Sequence, residues 1–390
     1  MDIPPIPPVD EESKPTVSSL RELVDLVSGR NLEYLSPEGE AGLAEALPFP
    51  FLALVGQPEM KLGLLLSLIN PSIGGVLLIG PRGTGKTTAV RSLLDLLPNV
   101  TRSACFYGCM PEDVESGGID AICPDCARKY AEGKPLTIED RVRLVELPLN
   151  ANLEDVIGGL DERALVHERL RLHRGILAQA DRNILFVDEV NLLSDEIIDS
   201  ILDAAAQGIY TVRRGPVSAT YNSRFLLIGS MNPEEGNLRP QIMDRFGLRI
   251  IVEGLKEPDE RLEAYRRVHA YVTNPRQMIA NYSIEINTLR DEIQTAQQVL
   301  RRVTLPDNLA RAGIQMVNAT GIDSLRAEIT LFEAARSRAA ADNRSVVEPE
   351  DLRDVAPMAL RMRRSKFMTN YIQDQKTEEE EISVLMRRFI

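Results

Sequence analysis

Cysteine is scarce in this sequence of 390 residues: there are four, all between Cys105 and Cys126. A disulfide-scaffolded fold is thereby excluded. Histidine is scarcer, and His167, His173 and His269 do not have the spacing of metal ligands. His167 and His173 fall instead among Arg163, Arg169, Arg171 and Arg174, which reads as a solvated face. A basic excess is also missing, since 45 Lys and Arg stand against 58 Asp and Glu for a net charge of −13. That balance disfavours a surface built for nucleic acid. No DNA-binding module and no internal repeat is recognisable. The first fifteen residues, MDIPPIPPVDEESKP, hold proline and acids where a signal peptide needs a basic start and an apolar run. One charge-free stretch of 20 residues, Leu62 to Pro81, is long enough to span a bilayer. Asn70-Pro71-Ser72-Ile73-Gly74-Gly75 interrupts it, so a short helix, a turn and a buried strand are expected, with no integral membrane contact.

What is present is ordinary globular material, 44% hydrophobic and 26% charged, enough for a sizeable core and for two or three domains. Residues 1–17 are rich in Pro and acid and read as disordered; Leu20, Leu23, Val24 and Val27 have helical spacing. Apolar runs at Val76–Ile79, Leu144–Leu147, Ile184–Val187, Phe225–Ile228 and Leu248–Val252 alternate with helical patterns. This predicts an α/β unit whose parallel sheet is covered on both faces. After Pro258 the pattern is helical, and Ile286, Leu289, Ile293, Ala296 and Leu300 predict one long amphipathic helix. Ser365–Ile390, with its acidic Glu378–Glu381 run, reads as a terminal helix or a loose tail. The expected division is a 1–46 extension, a 47–256 α/β core with a Cys-bearing insert at 101–140, and a 257–390 helical domain with its tail.

The most informative segment is Gly80, Pro81, Arg82, Gly83, Thr84, Gly85, Lys86, Thr87 and Thr88. It follows a strand and opens a helix, as G-x-x-x-x-G-K-[ST] requires. The glycines let backbone N–H groups curl around phosphates, Lys86 reaches the β- and γ-phosphates, and the Thr87 hydroxyl binds Mg²⁺. The strand Asn183–Val187 ends in Asp188 and Glu189. Asp188 would hold Mg²⁺ and Glu189 would act as general base toward water; alternatively, Asp188 caps a helix at a solvated junction. Asn232 ends the next strand, beside the γ-phosphate and lytic water or as the start of an Asn-Pro turn. Arg245 ends a short helix, as a cation suited to the dipole there or as a group that reaches a neighbouring subunit's γ-phosphate. Arg326 falls in the first turn of a helix with Asp323 as N-cap, so an anionic partner is expected; a nucleotide phosphate would serve, and so would a nearby Glu such as Glu328.

In this order the residues resemble the AAA+ ATPases: Walker A at Gly80–Thr87, Walker B at Asp188 and Glu189, sensor 1 at Asn232, an arginine finger at Arg245 and sensor 2 at Arg326. Longer strings are similar to the magnesium chelatase I-subunit family over about residues 47 to 365. They are Val187-Asp-Glu-Val-Asn-Leu-Leu193, Gly229-Ser-Met-Asn-Pro-Glu-Glu-Gly236, Leu238-Arg-Pro-Gln-Ile-Met-Asp-Arg-Phe-Gly247 and Gly321-Ile-Asp-Ser-Leu-Arg-Ala-Glu328. The resemblance implies an AAA+ P-loop domain followed by an all-α lid, and a homo-oligomeric ring, usually of six subunits, with ATP and Mg²⁺ at each interface. It also implies an insert in 152–180, a hairpin near 207–222 with Arg213-Arg214-Gly215 at its turn, and a displaced lid that lets Arg326 act in trans. The implied partners are a D subunit with a von Willebrand factor A domain and a porphyrin-binding H subunit, in the cytoplasm or a plastid stroma. The chain would then be the motor that drives Mg²⁺ insertion into protoporphyrin for chlorophyll or bacteriochlorophyll synthesis. A MoxR-type AAA+ chaperone acting on a von Willebrand partner is the alternative. A nucleic-acid remodeller is disfavoured by charge, and a non-catalytic scaffold would not need Lys86, Glu189 and Arg245 together.

The cysteines follow the pattern Cys105-x3-Cys109-x13-Cys123-x2-Cys126, two close pairs across a short loop, with Gly108, Gly117 and Gly118 to make turns. That pattern suits a structural, tetrahedral Zn²⁺; a thiol–disulfide switch and free thiols are the other readings.

Overall fold

A computed structural model of the chain describes residues 47–105, 109–159, 172–215 and 217–364. The amphipathic pattern at Leu20–Val27, His167 with Arg163, Arg169 and Arg171, and the 365–390 segment lie outside the described residues.

The first layer grows from the interrupted apolar stretch. Pro58–Ile69 forms helix α1 with Pro58 at its first position, where no N–H is needed. Asn70 then caps a short 3-10 turn by accepting from the Ser72 N–H, and strand β1 follows at Val76–Ile79. Among the described residues no helix is long and apolar enough to cross a membrane.

Strands β1, β4 (Leu144–Glu146), β5 (Ile184–Val187), β8 (Leu226–Met231) and β9 (Leu248–Ile251) form one sheet in the order β4-β5-β8-β1-β9. Every pairing is parallel. Two antiparallel pairs lie outside it: β2 (Asn99–Ser103) with β3 (Thr137–Arg141), and β6 (Ile209–Arg214) with β7 (Val217–Asn222). β8 ends one residue before Asn232, and its Gly229, Ser230 and Met231 find parallel partners in Leu77, Leu78 and Ile79. Backbone pairing is indifferent to the side chain that ends a strand.

Alternation along the strands divides the core. Val76, Leu78, Ile184, Phe186 and Ile228 point into one cluster; Leu77, Ile79, Leu185, Val187 and Leu227 point into the other. The second cluster is closed by α5 (Leu153–Ile157), α6 (Ile176–Gln179), α7 (Asp195–Gln207) and α8 (Pro240–Arg245). The first is closed by α1, by α2 (Lys86–Ser92) and, except for the first of them, by the helices from Pro258 onward.

Those helices are α9 (Pro258–Thr273), α10 (Pro275–Leu300), α11 (Asp307–Ala319), α12 (Leu325–Ala341) and α13 (Pro349–Leu360). The long amphipathic helix is α10, whose Ile286, Ile293 and Ala296 are buried. α12 carries the deepest contacts, with Leu331, Ala334, Ala335 and Ala339 all at 0% exposure. Its Ser337 hydroxyl donates to the Leu66 carbonyl at 2.9 Å, and Glu333 accepts from the Asn70 amide at 2.8 Å. The helical region and one sheet face therefore share a single apolar core.

Leu331→Ala is expected to remove about 2–5 kcal/mol of stability through the cavity it leaves. Chemical denaturation, compared with the unaltered chain, checks this.

Candidate nucleotide site

The loop Gly80–Gly85 joins the carboxyl end of β1 to α2. Gly80 is required where it stands: a Cβ there would lie 2.0 Å from the Val252 carbonyl oxygen. Gly83 and Gly85 adopt φ of 77° and 85°, which L side chains rarely reach, and a Cβ on either would meet only open space. The loop thus presents bare backbone to a cleft of about 210 Å³. Its walls include Lys86, Thr87, Thr88, Asp188, Glu189, Ser230 and Asn232.

Parallel register gathers those walls. Val187 pairs with Gly229 and Ile79 with Met231, so β1, β5 and β8 end at one edge of the sheet. Thr87 Oγ1 donates to Asp188 Oδ2 at 3.3 Å, while the Ser230 hydroxyl donates to Asp188 Oδ1. The same hydroxyl accepts the Glu189 N–H at 3.0 Å. Glu189 is held at φ 53°, a left-handed conformation that costs a non-glycine residue free energy and clusters at functional sites. Its carboxylate pairs with Arg82 at 3.1 Å, and Arg82 also pairs with Glu235.

Lys86 is nearly buried, at 8% exposure, and its ammonium donates to the carbonyls of Gly80 at 2.7 Å and Pro81 at 2.8 Å. Burial lowers its pKa, while Asp188, Glu189 and Glu235 partly offset the shift. A desolvated ammonium beside exposed loop amides is a natural anion receptor. Thr87 and Asp188 supply adjacent hard oxygen donors, the kind that Mg²⁺ prefers. Asn232 is 3% exposed; its Oδ1 accepts the Glu234 N–H at 3.2 Å and its carbonyl accepts from the Asn191 amide at 3.3 Å.

Arg245 and Arg326 do not join this cluster. They line a second cavity of about 180 Å³ with Gly74, Gly75, Phe225 and Asp203. Gly75 precedes β1 and Phe225 precedes β8, so this cavity opens at the amino ends of the strands. Four residues of strand, about 13 Å, separate the two edges. Arg245 pairs with Asp203 at 2.7 Å and Asp199 at 3.5 Å.

The anionic partner of Arg326 is Asp244, at 3.6 Å, rather than Glu328. The N-cap of α12 is Ser324, not Asp323, and the Ser324 hydroxyl donates to Asp244 at 3.0 Å instead of capping the helix. Asp244 also accepts from Arg363 at 2.7 Å. Burial alone would raise its pKa, but Arg363, Ser324 and Arg249 outweigh it and hold the carboxyl below its ordinary range.

Sequence reasoning missed Ser230, Glu235 and Asp244. Ser230 was detectable as a polar residue near the end of an apolar strand. Asp244 was not, because Arg249, Arg326 and Arg363 are scattered over more than a hundred residues. The Sγ atoms of Cys105, Cys109, Cys123 and Cys126 all lie within 4.8 Å of one another. Among the described residues they are the one group of three or more His, Cys, Asp or Glu placed to share a metal.

Residues 73–230 match the family described as AAA domain, and residues 314–384 match the AAA lid domain. A putative ATPase from Cytophaga hutchinsonii has a similar fold, with TM-score 0.51, 21% identity, and coverage of 80% of this chain and 83% of that one. The fold and phosphate loop therefore define an AAA-type ATPase. The magnesium-chelatase subunit ChlI homolog of Methanocaldococcus jannaschii is 42% identical over 335 residues, covering 85% of this chain and 90% of that protein. The magnesium-chelatase 38 kDa subunit of Acidiphilium rubrum is 42% identical over 317 residues, covering 81% and 90%. The chain belongs to the magnesium-chelatase I-subunit family.

Ser230→Ala removes the donor that orients Asp188 and the acceptor for the Glu189 N–H. A net hydrogen-bond loss of about 1–3 kcal/mol predicts ATP turnover lower by about 5–150-fold, with the fold intact. Steady-state hydrolysis beside circular dichroism checks it; unchanged kcat would remove the positioning role.

Proposed function

We propose that this chain is the ATP-hydrolysing ring motor of magnesium chelatase, driving Mg²⁺ insertion into protoporphyrin in (bacterio)chlorophyll synthesis. One observation carries the reading: the phosphate loop, Asp188, Glu189 and Asn232 meet at one sheet edge, while Arg245 and Arg326 line a cavity at the other. A site whose arginines face away from its own phosphate loop is completed by a second copy.

In the proposed assignment, the Gly80–Thr88 backbone and Lys86 hold the nucleotide phosphates, and Thr87 and Asp188 hold Mg²⁺. The ion, when bound, neutralises charge on the β- and γ-phosphates. Glu189 takes the proton from the attacking water once Arg82 has released it, and Asn232 positions that water. Arg245, and Arg326 with it, reach a neighbour's γ-phosphate and stabilise the charge that develops there. The ring, six-membered in our proposal, works with a D subunit and a porphyrin-binding H subunit in the cytoplasm or stroma. Residues 47–256 form the ATPase core and 257–390 the lid and tail. The full cofactor set is ATP, Mg²⁺ and a structural Zn²⁺.

Lys86→Ala is expected to abolish hydrolysis, and Glu189→Gln to bind ATP without turning it over. Arg245→Ala should lower kcat at least about 10³-fold while sparing nucleotide binding. Mixed rings report on action in trans: subunits with intact Arg245 and a Lys86→Ala lesion should rescue Arg245→Ala subunits, and failure of rescue removes that role. The whole reading is tested by ATP-dependent Mg²⁺ insertion into protoporphyrin with H and D subunits, with and without this chain. Insertion that needs the chain and fails with Lys86→Ala supports it. ATPase activity without insertion would transfer the chain to the MoxR-type chaperones.

A further inference from the structure

The segment between α2 and β4 folds into a small lobe. Its antiparallel pair β2 and β3 carries two short helices, α3 (Pro111–Gly117) and α4 (Pro124–Ala131). The buried core of the lobe is Cys109, Ile122, Cys123, Cys126 and Leu136. Two aliphatic side chains and three thiols are too little apolar material to hold such a lobe, and folds this small usually add a metal or disulfides. The four cysteines are unbonded to one another in the structure.

We propose that Cys105, Cys109, Cys123 and Cys126 bind one structural zinc ion. Four sulfurs at about 2.3 Å from a tetrahedral Zn²⁺ lie about 3.8 Å apart. The four Sγ atoms, all within 4.8 Å of one another, already approach that arrangement. The backbone is set for thiolates as well. The Cys109 N–H donates to Cys105 Sγ at 3.4 Å, Cys123 N–H to Cys109 Sγ at 3.2 Å, and Cys126 N–H to Cys123 Sγ at 3.4 Å. Cys123 is the N-cap of α4, with Pro124 at the first helical position, so one ligand is fixed by the helix start and Cys126 by its first turn.

Each thiol gives up its proton to solvent on binding, and four sulfur–zinc bonds form with no change of oxidation state. Four protein ligands leave no open position, so the ion is structural rather than catalytic. The lobe is tied to the sheet through Arg182, next but one before β5. Arg182 donates to the Thr101 carbonyl at 3.4 Å and to Glu112 at 3.5 Å, and its N–H donates to the Arg224 carbonyl at 2.7 Å. The zinc-locked lobe thereby braces the turn that feeds β5, the strand that ends in Asp188.

This inference deepens the cofactor set of the proposed motor, but its test does not pass through ATP. Elemental analysis of the purified full chain, after passage over a chelating resin, should give about one zinc per chain. A mercurial that titrates thiols should release it, read with a zinc indicator dye. Folded protein with four reactive thiols and no zinc would overturn the proposal, as would two disulfides. Cobalt exchanged into the unaltered chain should give the intense thiolate-to-metal charge transfer and visible bands of a tetrahedral sulfur site; their absence would also overturn it. This readout stands even if Cys123→Ser and Cys126→Ser fail to fold. Lys86→Ala should keep its full zinc content, which separates failure of the zinc site from failure of the motor reading.

Discussion

The insertion of β1 between β8 and β9 is the constraint on which the rest of the molecule depends. Parallel pairing on both sides fixes β1 in register with Ile228–Met231 and with Leu248–Ile251. Its carboxyl end must then emerge beside theirs, and the phosphate loop with it. The closeness of the Val252 carbonyl leaves room only for glycine at position 80. Because β5 also pairs with β8, Asp188 arrives within reach of Thr87 and Ser230 although it is a hundred residues from the loop. The site is a consequence of strand order.

The same strands carry charge at both ends, with opposite character. At the carboxyl ends, acids surround an almost buried lysine and open loop amides. At the amino ends, Arg245 and Arg326 are held by Asp199, Asp203 and Asp244. Asp244 is the junction: it ties the short helix that ends in Arg245 to the start of α12 through Ser324, and to the chain after α13 through Arg363. A movement of the helical region relative to the sheet would be felt at Arg245 through this carboxylate and through the Arg363 bonds to the Phe246 and Gly247 carbonyls.

The helical region shares its core with the sheet, whereas the cysteine lobe has a small core of its own and meets the main core through Val100 and, just past β3, Val142. In the first case apolar burial sets the stability. In the second it is too small, and chemistry at sulfur has to replace it. The two solutions match the composition of each segment, since 99–141 is poor in buried aliphatic residues while α12 is lined with leucine and alanine.

Much was legible in the sequence because it is local. Apolar runs, broken only by Glu146 and Arg249, marked all five sheet strands, the glycine pattern marked the phosphate loop, and polar residues at strand ends marked Asp188, Glu189 and Asn232. The spacing of 3 and 4 marked α10. Local signals misplaced what partners decide: Ser324 rather than Asp323 is the N-cap of α12, and Arg326 finds Asp244 rather than Glu328. By itself the sequence determined the elements and the chemistry each can carry, because periodicity and backbone propensity act over a few residues. Only the tertiary structure decided which ends of the strands meet, which arginines face away from the phosphate loop, and that four sulfurs share one point. Those facts depend on strand order and on packing between segments far apart in the chain.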